Sequence, residues 1–116
     1  MKPRALFIVT TDPRVSPRTA EAVRIAAGVG VWEKVDVTLY LRGAATRALG
    51  EFADELVDGE NFTRYLPLLA ETGRAVLAQR GSPAEAELGG TRIKFDEIDD
   101  AQLALHAAQS HFVLRF

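Results

Sequence analysis

Three short apolar runs in this chain each end in residues that can hold an anion. Thr10-Thr11-Asp12 follows the first, Arg42-Gly43 the second and Gln79-Arg80-Gly81-Ser82 the third. Hydroxyls and amides offer single hydrogen bonds, and a guanidinium offers five donors in a planar fork that matches carboxylate, sulfate or phosphate. Ser16-Pro17 adds a helix start. Serine supplies the cap oxygen and proline fills the first turn, while the amides behind them carry partial positive charge. Thr10, Thr11, Asp12, Ser16, Arg42, Gln79, Arg80 and Ser82 are therefore the candidate ligand-binding residues. The competing reading is that the arginines are solvated or pair with Asp12, Glu51 and Glu85. Exposed pairs contribute only ~0–1 kcal/mol, so residue types alone do not make a pocket.

No catalytic residue is assigned. Asp12 is placed to act as a general base, but Asp-Pro is first of all a turn former. No nucleophile, base and orienting group can be picked out together. The chain has no cysteine, which excludes disulfides, thiolate metal sites and a cysteine nucleophile. Its two histidines, His106 and His111, are five apart and miss the i, i+4 spacing that aligns two ligands on a helix. No metal site or cofactor is expected. The Thr10-Thr11 turn lacks the glycines that let backbone approach a phosphate closely, which argues against a flavin. A phosphoacceptor domain would need an aspartate where Ala78-Gln79-Arg80 stands.

Composition bounds the rest. In 116 residues, 47% are hydrophobic and 26% charged, with a formal net charge of −2. That describes one globular domain over residues 1–116 and no basic surface for nucleic acid. No apolar run approaches the ~20 residues that span a bilayer, and the start is too short for a secretory signal, so a cytoplasmic location is expected.

The elements that would carry these residues alternate. Ala5–Val9 and Val35–Leu41 are short apolar runs rich in strand formers, and 75–78, 93–95 and 112–114 are weaker versions. Between them lie helical patterns. The first begins at Ser16-Pro17 and ends at Gly28 and Gly30. A second, capped by Asn61, sets Phe62, Tyr65, Leu66 and Leu69 on one face, contains Pro67 and closes at Gly73. The last runs from about Asp99 to Ser110 with Ala101, Leu105 and Ala108 inward. A short helix is expected over 44–49, an irregular acidic stretch over 50–60, and a helical turn from Ser82-Pro83 to Gly89-Gly90. This order predicts a mostly parallel five-stranded sheet with helices on both faces, a three-layer α/β/α sandwich. In such sheets ligands bind outside the carboxyl ends of the strands. Glu33, Lys34, Asp58, Glu60 and Arg74 are expected at the opposite edge.

The ordered set ALFIVTTDP, SPRTAEAVRIAAGVG, VDVTLYLRGAA and RIKFDEIDDAQLALHAAQSHFVLRF resembles the DsrE/DsrF-like family of small sulfur-relay proteins. The resemblance implies a flavodoxin-like α/β/α sandwich that assembles into homo-oligomers. In the family's sulfur-transfer members an active cysteine follows the third strand. Here no register supplies one, so persulfide carriage is not expected. What the resemblance leaves is non-covalent recognition of a partner protein or a small anion. The alternatives are an enzyme acting on a small anionic substrate through Asp12, Arg42 and Arg80, and a scaffold subunit without a ligand. The apolar segment 112–116 is expected to pair in the sheet and to contribute to a contact between subunits.

Overall fold

A computed structural model describes residues 2–71, 75–82, 89–91 and 93–116. Five strands are formed: β1 Arg4–Val9, β2 Asp36–Leu41, β3 Ala75–Gln79, β4 Asp96–Ile98 and β5 Phe112–Arg115. The α-helices among the described residues are α1 Arg18–Val31, α2 Glu60–Glu71 and α3 Asp100–Gln109. The strands lie in the order β4-β3-β2-β1-β5, and every neighbouring pair is parallel. One isolated antiparallel bridge, Gly50 to Thr91, lies outside the strands.

Strand alternation divides the apolar side chains between two faces. Ala5, Phe7 and Val9 point into the larger core with Val37, Leu39 and Leu41 of β2. Against them pack Ala20, Val23, Ala26 and Ala27 of α1 and Phe62, Leu66 and Leu69 of α2. The alanines bring the α1 backbone close to the sheet, and each fully buried large side chain contributes about 1.5–3 kcal/mol. The opposite face is thinner. Leu6, Tyr40, Leu77 and Ile98 are buried there, with Ile8 and with Leu103 and Ala107 of α3 against them. The three layers expected from the alternation are present.

Several local expectations are corrected. The fourth strand was read at 93–95 but forms at Asp96–Ile98. Ile93 and Phe95 instead pack half-buried against the larger core. An edge strand needs only one inward residue, here Ile98, so the apolar pattern points three residues too early. Helix α3 is turned from the expected face. Ala101, Leu105 and Ala108 are exposed, and Leu103 and Ala107 face the sheet. Both stripes are apolar, so periodicity cannot choose between them. Asn61 lies inside the first turn of α2, and its side-chain amide donates to the Ala20 carbonyl at 3.3 Å, tying α2 to α1. Pro67 sits within α2 without ending it. The segment 43–49 is a 3₁₀ helix. The closure at Gly73 and the turn after Pro83 lie outside the described residues.

Asp58 and Glu60 were placed at the wrong edge. The Val57 amide donates to the Pro13 carbonyl at 3.0 Å, which brings the approach to α2 beside the loop after β1. Gly59 serves that approach: a Cβ there would stand 2.5 Å from the carbonyl oxygens of Ala53 and Asp54.

Candidate functional site

Parallel strands end together, so the segments after β1, β2, β3 and β4 gather on one rim. Thr10 and Thr11 follow β1 and are turned to structural use. The Thr10 amide and hydroxyl both donate to the Phe116 carbonyl, at 3.0 and 3.3 Å. The Thr11 and Thr19 hydroxyls lie 3.1 Å apart, and Thr19 Oγ1 donates to the Thr11 carbonyl at 2.7 Å. These bonds anchor the loop to α1 and to the last residue of the chain.

Asp12 is held by Arg14. Its Oδ1 accepts the Arg14 amide at 2.9 Å, and the Arg14 guanidinium closes on both carboxylate oxygens at 2.8–3.1 Å. These bonds hold the Asp12 carboxyl below its ordinary range, the side-chain hydrogen bond being the larger cause. A carboxylate whose two oxygens are both held by a guanidinium is poorly placed to act as a general base. Ser16 behaves as its sequence position suggests: its Oγ accepts the Arg18 amide at 3.2 Å at the start of α1.

Arg42 and Arg80 converge on the first turn of α3. Arg42 Nη1 donates to Asp100 at 2.7 Å and to the Tyr40 hydroxyl at 3.1 Å. The Asp100 bond, followed by that to Tyr40, raises the proton affinity of the guanidinium, and Arg42 in turn lowers the Asp100 carboxyl. Arg80 Nη1 lies 3.8 Å from Asp99, and its Nη2 donates to the Glu97 carbonyl at 3.2 Å. Asp99 also accepts the Gln102 amide at 2.8 Å while Gln102 reaches back to the Asp99 amide at 2.9 Å, a capping box. The arginines thus pair with Asp99 and Asp100, not with Asp12. Glu85 lies outside the described residues.

Gln79 and Ser82 face inward, under the loop after β2. Gly43 takes a positive φ of 58°, and its amide donates to Gln79 Oε1 at 2.9 Å. The Gly43 carbonyl accepts from Thr46 at 2.7 Å and from Ser82 at 3.1 Å, and those two hydroxyls lie 3.2 Å apart. Ser82 is buried, at 4% exposure. These residues brace the strand ends from below.

The eight candidates therefore divide. Arg42 and Arg80 meet at one exposed spot; Gln79 and Ser82 support it; Thr10, Thr11, Asp12 and Ser16 form a separate brace around the loop after β1. Tyr40 was missed, although it stands two residues before Arg42, whose extended backbone continues the line of β2 and so keeps the same face. Asp99 was read only as a helix start and Asp100 was not singled out; the Arg42–Asp100 pairing spans 58 residues and has no local signal. Among the described residues no cluster of His, Asp and Glu is arranged to hold a metal, and no helix is long and apolar enough to cross a membrane.

No protein-family model and no curated protein matches this chain. A crystal structure of the ychN protein from E. coli does, with a TM-score of 0.77 over 100% of both chains at 21% identity. This chain shares the fold of that protein. At that identity the likeness speaks for the architecture. Strand β3 ends at Gln79, followed by Arg80-Gly81-Ser82, and the chain has no cysteine.

Proposed function

We propose that this chain is a non-catalytic DsrE-like binding protein that holds a small anion, or an acidic group of a partner protein, at Arg42 and Arg80. The observation that carries the reading is the convergence of both guanidiniums on Asp99 and Asp100. A carboxylate already sits at 2.7 Å from Arg42, which supports a spot shaped to accept one. Asp100 is 75% exposed, and an exposed pair is weak enough for an external anion to replace it. Arg42 uses only Nη1 in its two contacts, while a guanidinium has donors to spare.

The absence of cysteine supports non-covalent binding over persulfide carriage. The enzymatic alternative through Asp12, Arg42 and Arg80 is less well supported, because Asp12 is spent on Arg14. A thermal-shift screen with phosphate, sulfate, thiosulfate and small carboxylates tests the proposal. At least one anion is expected to raise the melting temperature, since a ligand of the folded state stabilises it by mass action. The rise should vanish in Arg42→Ala and Arg80→Ala. Identical melting with and without every anion would leave the rim as a brace alone.

A further inference from the structure

Even-numbered residues of β1 and β2 share the face that α3 covers. Leu6 and Tyr40 belong to its core, and strand alternation puts Arg4, Asp36 and Thr38 on the same face, nearer the strand starts. Arg4 and Asp36 are register partners on adjacent parallel strands. Helix α3 runs back over them, with Leu103, His106 and Ala107 half-buried and Ser110 half-buried at its cap. The stripe it turns to the sheet therefore starts apolar and becomes polar. The result is a cleft of about 220 Å³ lined by Arg4, Asp36, Thr38, His106, Gln109 and Ser110, every one a polar side chain. Most of them are uncommitted. The Arg4 guanidinium, the Thr38 hydroxyl, the His106 imidazole and the Gln109 amide make no hydrogen bond or ion pair with any described residue. At the rim the reverse holds, since Thr10, Thr11, Ser16, Gln79 and Ser82 are all bonded internally.

We infer that this cleft binds a small zwitterion of free amino-acid type, its carboxylate on Arg4 and its ammonium on Asp36. The two charges select the class. A guanidinium takes a carboxylate through paired donors, and the C-terminal end of α3 adds partial negative charge that favours an ammonium. A simple anion would meet Asp36 and a simple cation would meet Arg4, so either is opposed by one of the pair. A molecule carrying both signs complements both. Asp36 is not free, but it is exposed, and a carboxylate offers about four acceptor sites, so it can take a further donor. Thr38, His106 and Gln109 are left for the ligand's own side chain, which favours one bearing a hydroxyl or an amide. The volume, 220 Å³, is about that of seven waters in the liquid and falls below the ~300–1,000 Å³ of drug-sized pockets. Ligands of parallel sheets generally sit at the carboxyl ends of the strands. Here the amino ends hold the spare donors, because the last turns of α3 bring no large apolar side chain to cover them.

Melting curves with millimolar L-serine, L-threonine, L-asparagine and L-glutamine test this. At least one should raise the melting temperature, by about 5 °C at ten times its dissociation constant. The N-acetyl and carboxamide forms of that amino acid each lack one charge and should give no rise at the same concentration. Arg4→Gln should raise the half-saturating concentration at least about tenfold, the scale of a lost charge-assisted hydrogen bond. A second readout needs no change to Arg4. The chain has only two histidines, so its imidazole NMR spectrum holds two ring signals, and the one lost in His106→Gln should move on titration of the wild type. An unmoved His106 signal, or no rise with any of the four amino acids, overturns the inference. So does a rise that Arg42→Ala abolishes and Arg4→Gln keeps, which would assign the ligand to the rim. Because the anion screen reads Arg42 and Arg80 and this one reads Arg4 and His106, either can fail alone.

Discussion

Arg42 and Asp100 meet at 2.7 Å across 58 residues of chain, joining the end of β2 to the first turn of α3. The same guanidinium donates to the Tyr40 hydroxyl at 3.1 Å, so its position is fixed from β2 as well as from the helix. Asp100 is the more exposed side of the arrangement and carries no other hydrogen bond among those described. If the rim binds anions, Asp100 is the internal competitor.

Asp100→Asn should therefore tighten anion binding. Removing the competing charge leaves Arg42 aimed by Tyr40 and available, and the gain should be on the order of a few-fold, the scale of an exposed pair. Phosphate or sulfate titrations followed by melting temperature would show it as a lower half-saturating concentration. Equal or weaker binding in the variant would mean that Asp100 helps to build the site.

Asp12 leads to a pH prediction. Its folded-state carboxyl is held below the ordinary range by Arg14. A depressed acid contributes stability above its unfolded pKa and loses it as pH falls through the folded value. Acid unfolding of the wild type should therefore be steeper between roughly pH 5 and pH 2 than that of Asp12→Asn. At neutral pH the variant should lose less than about 1 kcal/mol, because the partner guanidinium is exposed and screened. Melting curves across that range check it, and parallel curves would contradict the role assigned to Arg14.

The readings that survived are those where one physical pattern had one solution. Ala5–Val9 is too short for a helix and too apolar for an exposed strand, so a central buried strand was its only outcome. Ser16-Pro17 marked the start of α1 because cap chemistry is local. Helix α3 was misread because Ala101, Leu105 and Ala108 form as good an apolar stripe as Leu103 and Ala107. Only the position of the sheet decides between them. The rim was legible as a set of donors, since strand ends converge by topology. Its pairing was not: Asp99 and Asp100 reach the rim only once β4 has paired beside β3 and α3 has started from its end, and no spacing along the chain encodes that.

The loop after β2 carries the last prediction. Gly43 holds a φ of 58°, and the Gly43 carbonyl is bonded by Thr46 and Ser82, both buried. Thr46→Val keeps the shape and deletes the hydroxyl. The Gly43 carbonyl would lose its shorter bond and Ser82 its neighbour, which should cost about 1–3 kcal/mol. At about 4 °C per kcal/mol for a domain of this size, that is a visible drop in melting temperature. Thr46→Ser, which retains the oxygen, should lose less. Gly43→Ala separates backbone strain from contact, because nothing lies within 4 Å of where its Cβ would stand. Its cost should be only the roughly 1–2 kcal/mol of a left-handed conformation in an L-residue. If Thr46→Val melts with the wild type, the buried hydroxyls do not brace this loop, and the position of Arg42 must be set by β2 and Tyr40 alone.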